Sequence, residues 1–402
     1  MKNLLVEAKK IQEVLVEHRR YLHENAEVHI DLPITTEYVV SKLKEIGYEA
    51  VEICKSGVVA LAGGKKSGKT FMLRADMDAL PIVEETEVLF KSKTCNMHAC
   101  GHDMHTAMLL GAAKLLKEHE DEIEGQVKLM FQPAEETLTG AKNMIEAGIL
   151  EHPKVDAAMM IHVFTGMPLP TGAVVALGAG INSSASDWFT IKVQGKGGHG
   201  ANPHETVDPL NVIAHIHLAL QAINAREMNP SESGVLTIGQ MHGGNTSNVI
   251  PDSAFLSGTI RTFSKEGREF IKKRVEEISA GIAATFRASA SVEYSFGCPC
   301  LINNAAVSKA AKQYTLELVG NRQFIDMTEH PEFGFTRMSG SEDFAYISEL
   351  VPSTMFGLGA GSIKEGYIYP QHHPKAKFDE NALYVGTAVY ANTAIEWLKN
   401  NK

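Results

Sequence analysis

The feature that most narrows the possible folds is a change of rhythm along the chain. Through the first part, short apolar runs alternate with helical periodicity. Val58–Ala62 and Phe71–Ala75 read as strands, about 104–117 as a helix, Val127–Phe131 as a strand, about 142–147 as a short helix, and 155–163 as a strand. Two amphipathic helices precede them. The first carries Leu4, Leu5, Ala8, Ile11, Val14, Leu15 and Leu22 at spacings of three and four, and the second runs from about Thr36 to Ile46 and stops at Gly47. Such alternation implies an α/β layer architecture with a mainly parallel sheet. From about Ser184 the order becomes β-α-β-β-α-β: strands at Asp187–Gln194, Gly234–Gln240, Ser253–Thr262 and Ser291–Phe296, with helices at Pro209–Ala225 and Lys265–Phe286. That is the ferredoxin-like arrangement, an α+β unit with its own core. After Pro299 the helix–strand alternation resumes. The expected organisation is therefore a discontinuous α/β domain, residues 1–183 and 296–402, interrupted by an inserted domain, residues 184–295.

Composition removes several partners. With 38 Lys+Arg against 48 Asp+Glu the formal net charge is −10, so neither nucleic acid nor an anionic membrane surface finds the basic footprint it needs. No run approaches the roughly 18 apolar residues of a membrane helix. Five cysteines, Cys54, Cys95, Cys100, Cys298 and Cys300, do not form the even framework of a small secreted domain. Free thiols and an N-terminus lacking the apolar core of a signal peptide give a cytoplasmic expectation.

Two glycine motifs fail on their surroundings. Gly63-Gly-Lys-Lys-Ser-Gly68-Lys69-Thr70 fits the phosphate-loop pattern, which would make this a nucleotide-binding protein, but Phe71–Ala75 after it reads as a strand where a helix N-terminus is required. Gly195-Lys-Gly197-Gly-His-Gly200 fits a dinucleotide fingerprint, yet Pro203 sits where the first helical turn should be. Its glycines would let backbone approach something closely around His199.

Ligand-type residues collect instead at the carboxyl ends of strands, where open parallel sheets bind ligands. Asp76 and Asp78 follow one strand, Glu135 and Glu136 a second, and His162 a third. Cys100 and His102 sit together before a helix that His102 or Asp103 can cap, and His372-His373-Pro374 offers another imidazole in a loop. Cys, His and Glu together form a transition-metal set rather than a calcium or magnesium cage. The adjacent glutamates suggest a division of labour, one binding metal while the other takes a proton from metal-bound water. There is no H-E-x-x-H helix and no G-x-S-x-G elbow, so neither a zincin nor a serine hydrolase is supported.

In chain order, Arg74-Ala-Asp76-Met-Asp78-Ala-Leu-Pro81, Met97-His-Ala-Cys100-Gly-His102-Asp103, Phe131-Gln-Pro-Ala-Glu135-Glu136, Gly197-Gly-His199-Gly-Ala, Asn248-Val-Ile-Pro251, Gly340-Ser-Glu342-Asp-Phe and His372-His-Pro374 resemble the M20 metallopeptidase/aminoacylase superfamily, specifically its amidohydrolase branch. The resemblance spans nearly the whole chain. It implies a metal-binding α/β domain interrupted by a lid domain that forms homodimers. It further implies two divalent ions held by Cys100, His102, Glu136, His162 and His372, with Cys100 bridging. Glu135 would be the general base on a metal-bridging water, and His199, from the partner subunit's lid, would steady the oxyanion. Asn248 and Arg261 would hold substrate, the guanidinium suiting a bidentate grip on a carboxylate.

The wider superfamily has His-x-Asp where this chain has Asp76-Met-Asp78, and an Asp bridge where it has Cys100. Both departures are normal for the amidohydrolase branch and favour hydrolysis of N-acyl amino acids over the dipeptidase or carboxypeptidase alternative. They leave Asp76 and Asp78 as residues behind the ligands, orienting His102. Zn, Mn, Co and Ni all remain open as the metal. His98 and His105 read equally well as supports of the ligands or as helix packing.

Overall fold

The structure, a computed structural model, describes residues 3–330 and 337–402. In chain order its helices and strands are α1 (Leu4–Lys10), α2 (Gln12–Glu24), α3 (Pro33–Ile46), β1 (Val51–Cys54), β2 (Gly57–Gly63), β3 (Thr70–Asp76), α4 (His102–Glu118), β4 (Gln126–Gln132), α5 (Gly140–Glu146), β5 (Ala157–Phe164), β6 (Val174–Ala176) and β7 (Gly180–Ser183). They continue with β8 (Ala185–Gln194), β9 (Gly198–His199), α6 (Pro209–Ala222), β10 (Gly234–Gly243), β11 (Val249–Ile250), β12 (Ser253–Thr262), α7 (Lys265–Thr285) and β13 (Ser289–Cys298). The chain closes with β14 (Leu301–Asn303), α8 (Ala305–Val319), β15 (Phe324–Asp326), α9 (Ala345–Leu350), β16 (Ser353–Gly359) and α10 (Leu383–Asn400). These form two compact units, one of residues 1–182, 302–336 and 343–402, the other of 183–301 and 337–342.

The first unit is built on an eight-stranded sheet ordered β1-β2-β4-β3-β5-β16-β6-β15. Its centre, β4-β3-β5-β16, is parallel, and β1-β2, β2-β4 and β16-β6 are antiparallel. Every residue of β3 and of β16 is buried, as expected for central strands covered on both faces. Helix α4 is apolar or small through its middle, from Ala107 to Ala113, and is buried along most of its length, packed against α2 and α10. Gly47 takes φ +100° after α3, a left-handed cap that a side chain would strain. The single N-terminal helix expected from periodicity is in fact two, broken at Ile11. Gly63–Thr70 links β2 to β3 with a strand, not a helix, following it, so the phosphate-loop reading falls. Among the described residues no helix is long and apolar enough to cross a membrane.

His119 ties the two ends of this unit's helical layer together. At the C-terminal cap of α4 its Nε2 lies 2.7 Å from Glu7 of α1 and its Nδ1 3.0 Å from Glu122. Burial opposes its charge, but the two carboxylates override it and raise its pKa above the usual 6.5. A raised pKa in the folded state stabilises most below 6.5, and the gain fades as pH rises through the folded value. His119→Gln should therefore lower the melting temperature most at mildly acidic pH, with the two melting curves converging in alkali. A deficit that does not change with pH would contradict this.

The second unit is a four-stranded antiparallel sheet, β10-β12-β8-β13, with α6 and α7 on one face. In chain order this is β-α-β-β-α-β. Phe189, Ile191, Val193, Leu256 and Ile260 point at Val212, Ile216, Leu220, Ile271 and Val275, a separate apolar core. Each such side chain contributes about 1.5–3 kcal/mol when fully buried. Residues 337–342 rejoin this unit late in the chain: Ser184 bonds through its amide to Met338 O at 3.2 Å and through its hydroxyl to Ser339 O at 2.8 Å.

Candidate metal centre

Five side chains meet beyond the ends of β3, β4 and β5. Cys100 lies in the turn before α4 and His102 is that helix's first residue, with Gly101 between them as N-cap at φ +94°. This turn brings both donors to the same space. A Cβ at Gly101 would fall 2.5 Å from Val163 Cγ2 and 2.9 Å from Phe378 Cε1. Gly101→Ala thus combines a left-handed backbone, costing about 1–3 kcal/mol, with a steric collision. We expect lower denaturant resistance together with loss of bound metal; unchanged values of both would contradict the role given to this turn.

Glu135 and Glu136 follow β4 through Pro133 and Ala134, the latter at φ +57°. Asp78 holds the pair: its carboxylate accepts the backbone amides of Glu135 at 2.9 Å and Glu136 at 3.1 Å. His162 lies inside β5 rather than at its end, because pairing with β16 continues past it to Phe164. His372 takes φ +65°, and its amide donates to Ala99 O at 2.9 Å. Beside it, Gln371 Nε2 donates to Cys100 O at 3.0 Å, so the late loop is stitched to the cysteine turn.

Two of the donor groups overlap at Cys100, beside a further group of His102, Glu135 and Glu136. Cys100, His102 and His162 form one, and Cys100, Glu136 and His372 the other, with all ligand atoms in each within 4.8 Å of one another. Cys100 belongs to both. Cys100 Sγ is 3.7 Å from His162 Nε2, and Glu136 Oε1 is 3.7 Å from His372 Nε2 and 3.9 Å from His102 Nε2.

The ring tautomers suit a metal. His102 Nδ1 donates to Asp78 O at 2.8 Å, and His162 Nδ1 donates to Val163 O at 2.8 Å. With Nδ1 committed to a carbonyl, Nε2 is in each ring the atom turned to the pocket, the arrangement seen when a second contact fixes a ligating imidazole. His102 Nε2 and Glu136 Oε1 are buried, 3.9 Å apart, and among the described residues the Cys100 thiol is the group that both side chains meet, a convergence of donor atoms that an ion would satisfy. Burial lifts Glu136 to about 7 and pushes the Cys100 thiol up. Burial opposes charge on His102, yet Asp76 holds it above the usual imidazole range, while burial keeps His162 well below it.

Asp78 reaches His102 through its backbone carbonyl, while its carboxylate is engaged by the glutamate turn. Asp76 lies 3.7 Å from His102 Nε2 and bonds instead to His105 and Arg74, at 2.6 and 2.7 Å. Asp103 accepts from its neighbour Met104 and, on its other oxygen, from Arg19 and His23. Among the described residues neither ring nitrogen of the buried His98 finds a hydrogen-bond partner, so it packs rather than supports a ligand. Arg74, Gln132 and Asp343, which sequence reasoning gave no role, form a buried network behind the site.

In the second unit, β9–β11 pairing sets His199 opposite Val249, next to Asn248. His199 is exposed, and its Nδ1 accepts the Ala201 amide at 3.1 Å. Arg261 stands on β12 with Nη1 donating to Ser339 O and Ser341 Oγ, both at 3.2 Å.

Comparison with known proteins is consistent along the chain. Residues 72–396 match the family model described as Peptidase family M20/M25/M40. Thermostable carboxypeptidase 2 of Saccharolobus solfataricus is 37% identical over 97% of each chain. The N-acetyl-L-cysteine deacetylase of Bacillus subtilis is 36% identical, over 98% of this chain and 90% of its own. Among solved structures, the YXEP protein of Bacillus subtilis, described as a dinuclear metal binding peptidase from the M20 family, superposes with a TM-score of 0.79 at 32% identity, covering 97% of this chain and 99% of that one.

Proposed function

Because the chain belongs to peptidase family M20/M25/M40, we propose that it is a dinuclear metal-dependent amidohydrolase that cleaves N-acyl amino acids to a carboxylic acid and a free amino acid. The observation that carries the reading is the pair of ligand triads sharing Cys100, with two histidine Nε2 atoms turned into the same space. Cys100, His102, His162, Glu136 and His372 would hold the ions. When bound, such ions polarise an amide carbonyl and lower the pKa of water.

Glu135 is the proposed general base. Its Oε2 lies 4.0 Å from His102 Nε2, its Oε1 receives the Asp343 amide at 3.4 Å, and its backbone is fixed by Asp78. It would take the proton from the attacking water and return it to the leaving amine. His199 is assigned to the oxyanion, with its Nε2 as the donor. Asn248 and Arg261 are assigned to the substrate carboxylate, Arg261 already being steadied by Ser339 and Ser341.

A homodimer formed through the second unit belongs to the same reading. Strand β10 is an edge of its sheet, and Val235 and Met241 on it, with Leu218 on α6, are exposed. Thiolate and imidazole donors favour zinc, with manganese, cobalt and nickel as the other candidates. The deciding assay compares N-acetyl or N-benzoyl amino acids with dipeptides bearing a free amine, each with every metal in turn. Faster turnover of dipeptides would replace this reading with that of a peptidase, which the carboxypeptidase relative represents.

A further inference from the structure

His105 lies one turn along α4 from His102, is fully buried, and sits with its ring 4.6 Å from that of His162, edge to face. It falls within a cluster of Asp76, His102 and His105 whose spacing would admit a metal. Its hydrogen bonds argue otherwise. Nδ1 is 2.6 Å from Asp76 Oδ1, and Nε2 is 2.9 Å from the Val163 amide nitrogen. A peptide N–H can only donate, so Nε2 is the acceptor and Nδ1 carries the proton given to Asp76. Both ring nitrogens are occupied, which leaves no lone pair for an ion.

The peptide held in this way is the one that orients a proposed ligand. Val163 gives its N–H to His105, and its C=O accepts the proton of His162 Nδ1. We propose that His105 is a positioning residue for His162, its Nε2 holding the Val163 peptide so that the His162 imidazole presents Nε2 beside Cys100, with the Asp76 bond fixing the tautomer that lets Nε2 accept. The anchor itself is fixed from behind. Arg74 is wholly buried and bonds Asp76 at 2.7 Å, Gln132 at 2.9 Å and Asp343 at 2.9 Å, and Asp343 also accepts the Ala141 amide at 2.8 Å near the start of α5. A continuous set of hydrogen bonds thus runs from α5 to His162. Such contacts behind a metal ligand are typically worth 10–100-fold in metal affinity.

The inference rests on the metal centre proposed above, and its test is zinc binding rather than turnover. Two amide substitutions separate the two bonds. In His105→Gln the amide oxygen reaches roughly the place of Nε2 and can still accept from Val163. In His105→Asn the amide reaches only the place of Nδ1, which keeps the Asp76 bond and abandons Val163. Zinc affinity would be measured by competition with a chromogenic chelator, alongside the melting temperature of each metal-stripped protein. We expect His105→Asn and His105→Ala to bind zinc about ten-fold or more weakly, and His105→Gln to stay within about three-fold of wild type. The stripped Asn and Gln variants should melt together. Equal weakening by Asn and Gln, or no weakening by either, overturns the inference while leaving the metal centre standing. A wild-type chain that binds no zinc, manganese, cobalt or nickel overturns the metal centre itself, and this inference with it.

Discussion

Glu135→Gln should retain its metal and lose turnover by about 10²–10⁴-fold, the usual worth of a positioned general base. The substitution keeps the shape of the side chain and leaves the backbone bond to Asp78 in place. It removes the charge and the capacity to accept a proton. Glu135 groups with His102 and Glu136 but stands outside both triads that contain Cys100, so with Glu135 as base and not ligand, metal content should stay at the wild-type level. The separation between the adjacent glutamates is the informative part. Glu136→Gln should weaken metal binding first and lower turnover through that loss, so that added metal restores activity in Glu136→Gln and not in Glu135→Gln. If Glu135→Gln turns over at the wild-type rate, the assignment of the base fails.

The second large effect is on stability. Arg74 is a fully buried cation paired with two fully buried carboxylates, Asp76 and Asp343. A buried ion pair adds little when compared with well-packed apolar side chains, but removing one member strands the other at a cost of about 3–5 kcal/mol. Arg74→Leu should therefore destabilise the protein by about that much in urea titrations of the metal-free chain. Arg74→Lys keeps the charge but cannot span Asp76, Gln132 and Asp343 with a rigid fork, so it should fall between the two. A stability within about 1 kcal/mol of wild type for Arg74→Leu would show that the network is not what holds these carboxylates.

What was legible in the sequence follows from range. Elements set by local periodicity appear close to where apolar spacing placed them: Ser253–Thr262 coincides with β12, and Lys265–Phe286 exceeds α7 by one residue. The short strands β1, β6 and β15 carry no clear pattern of their own; they exist because neighbours in the sheet supply their hydrogen bonds. The same holds at the site. Cys100, His102, Glu135, Glu136 and His162 could be read because strand ends and a helix start place them, and the structure brings four of them, with His372, into two shared triads.

The supporting groups were not readable in that way. Asp343 meets Arg74 across 269 positions of sequence, and no spacing rule reaches so far. Histidines on helices that offered no partner in sequence acquire one through packing: His119 meets Glu7, His18 meets the Tyr38 hydroxyl at 2.8 Å, and His215 stacks on Phe286. His105 could be read as support or as packing from its position alone. Only the direction of the Val163 N–H decides between them.

The central claim is that two metal positions share one thiolate. Metal content per chain, measured by mass spectrometry on the metal-saturated and then desalted protein, tests it directly. Two zinc or manganese ions are expected per wild-type chain, and fewer than one in Cys100→Ala, because that substitution takes a ligand from both triads. Two ions retained by Cys100→Ala, or a wild-type chain that saturates at one, would contradict it.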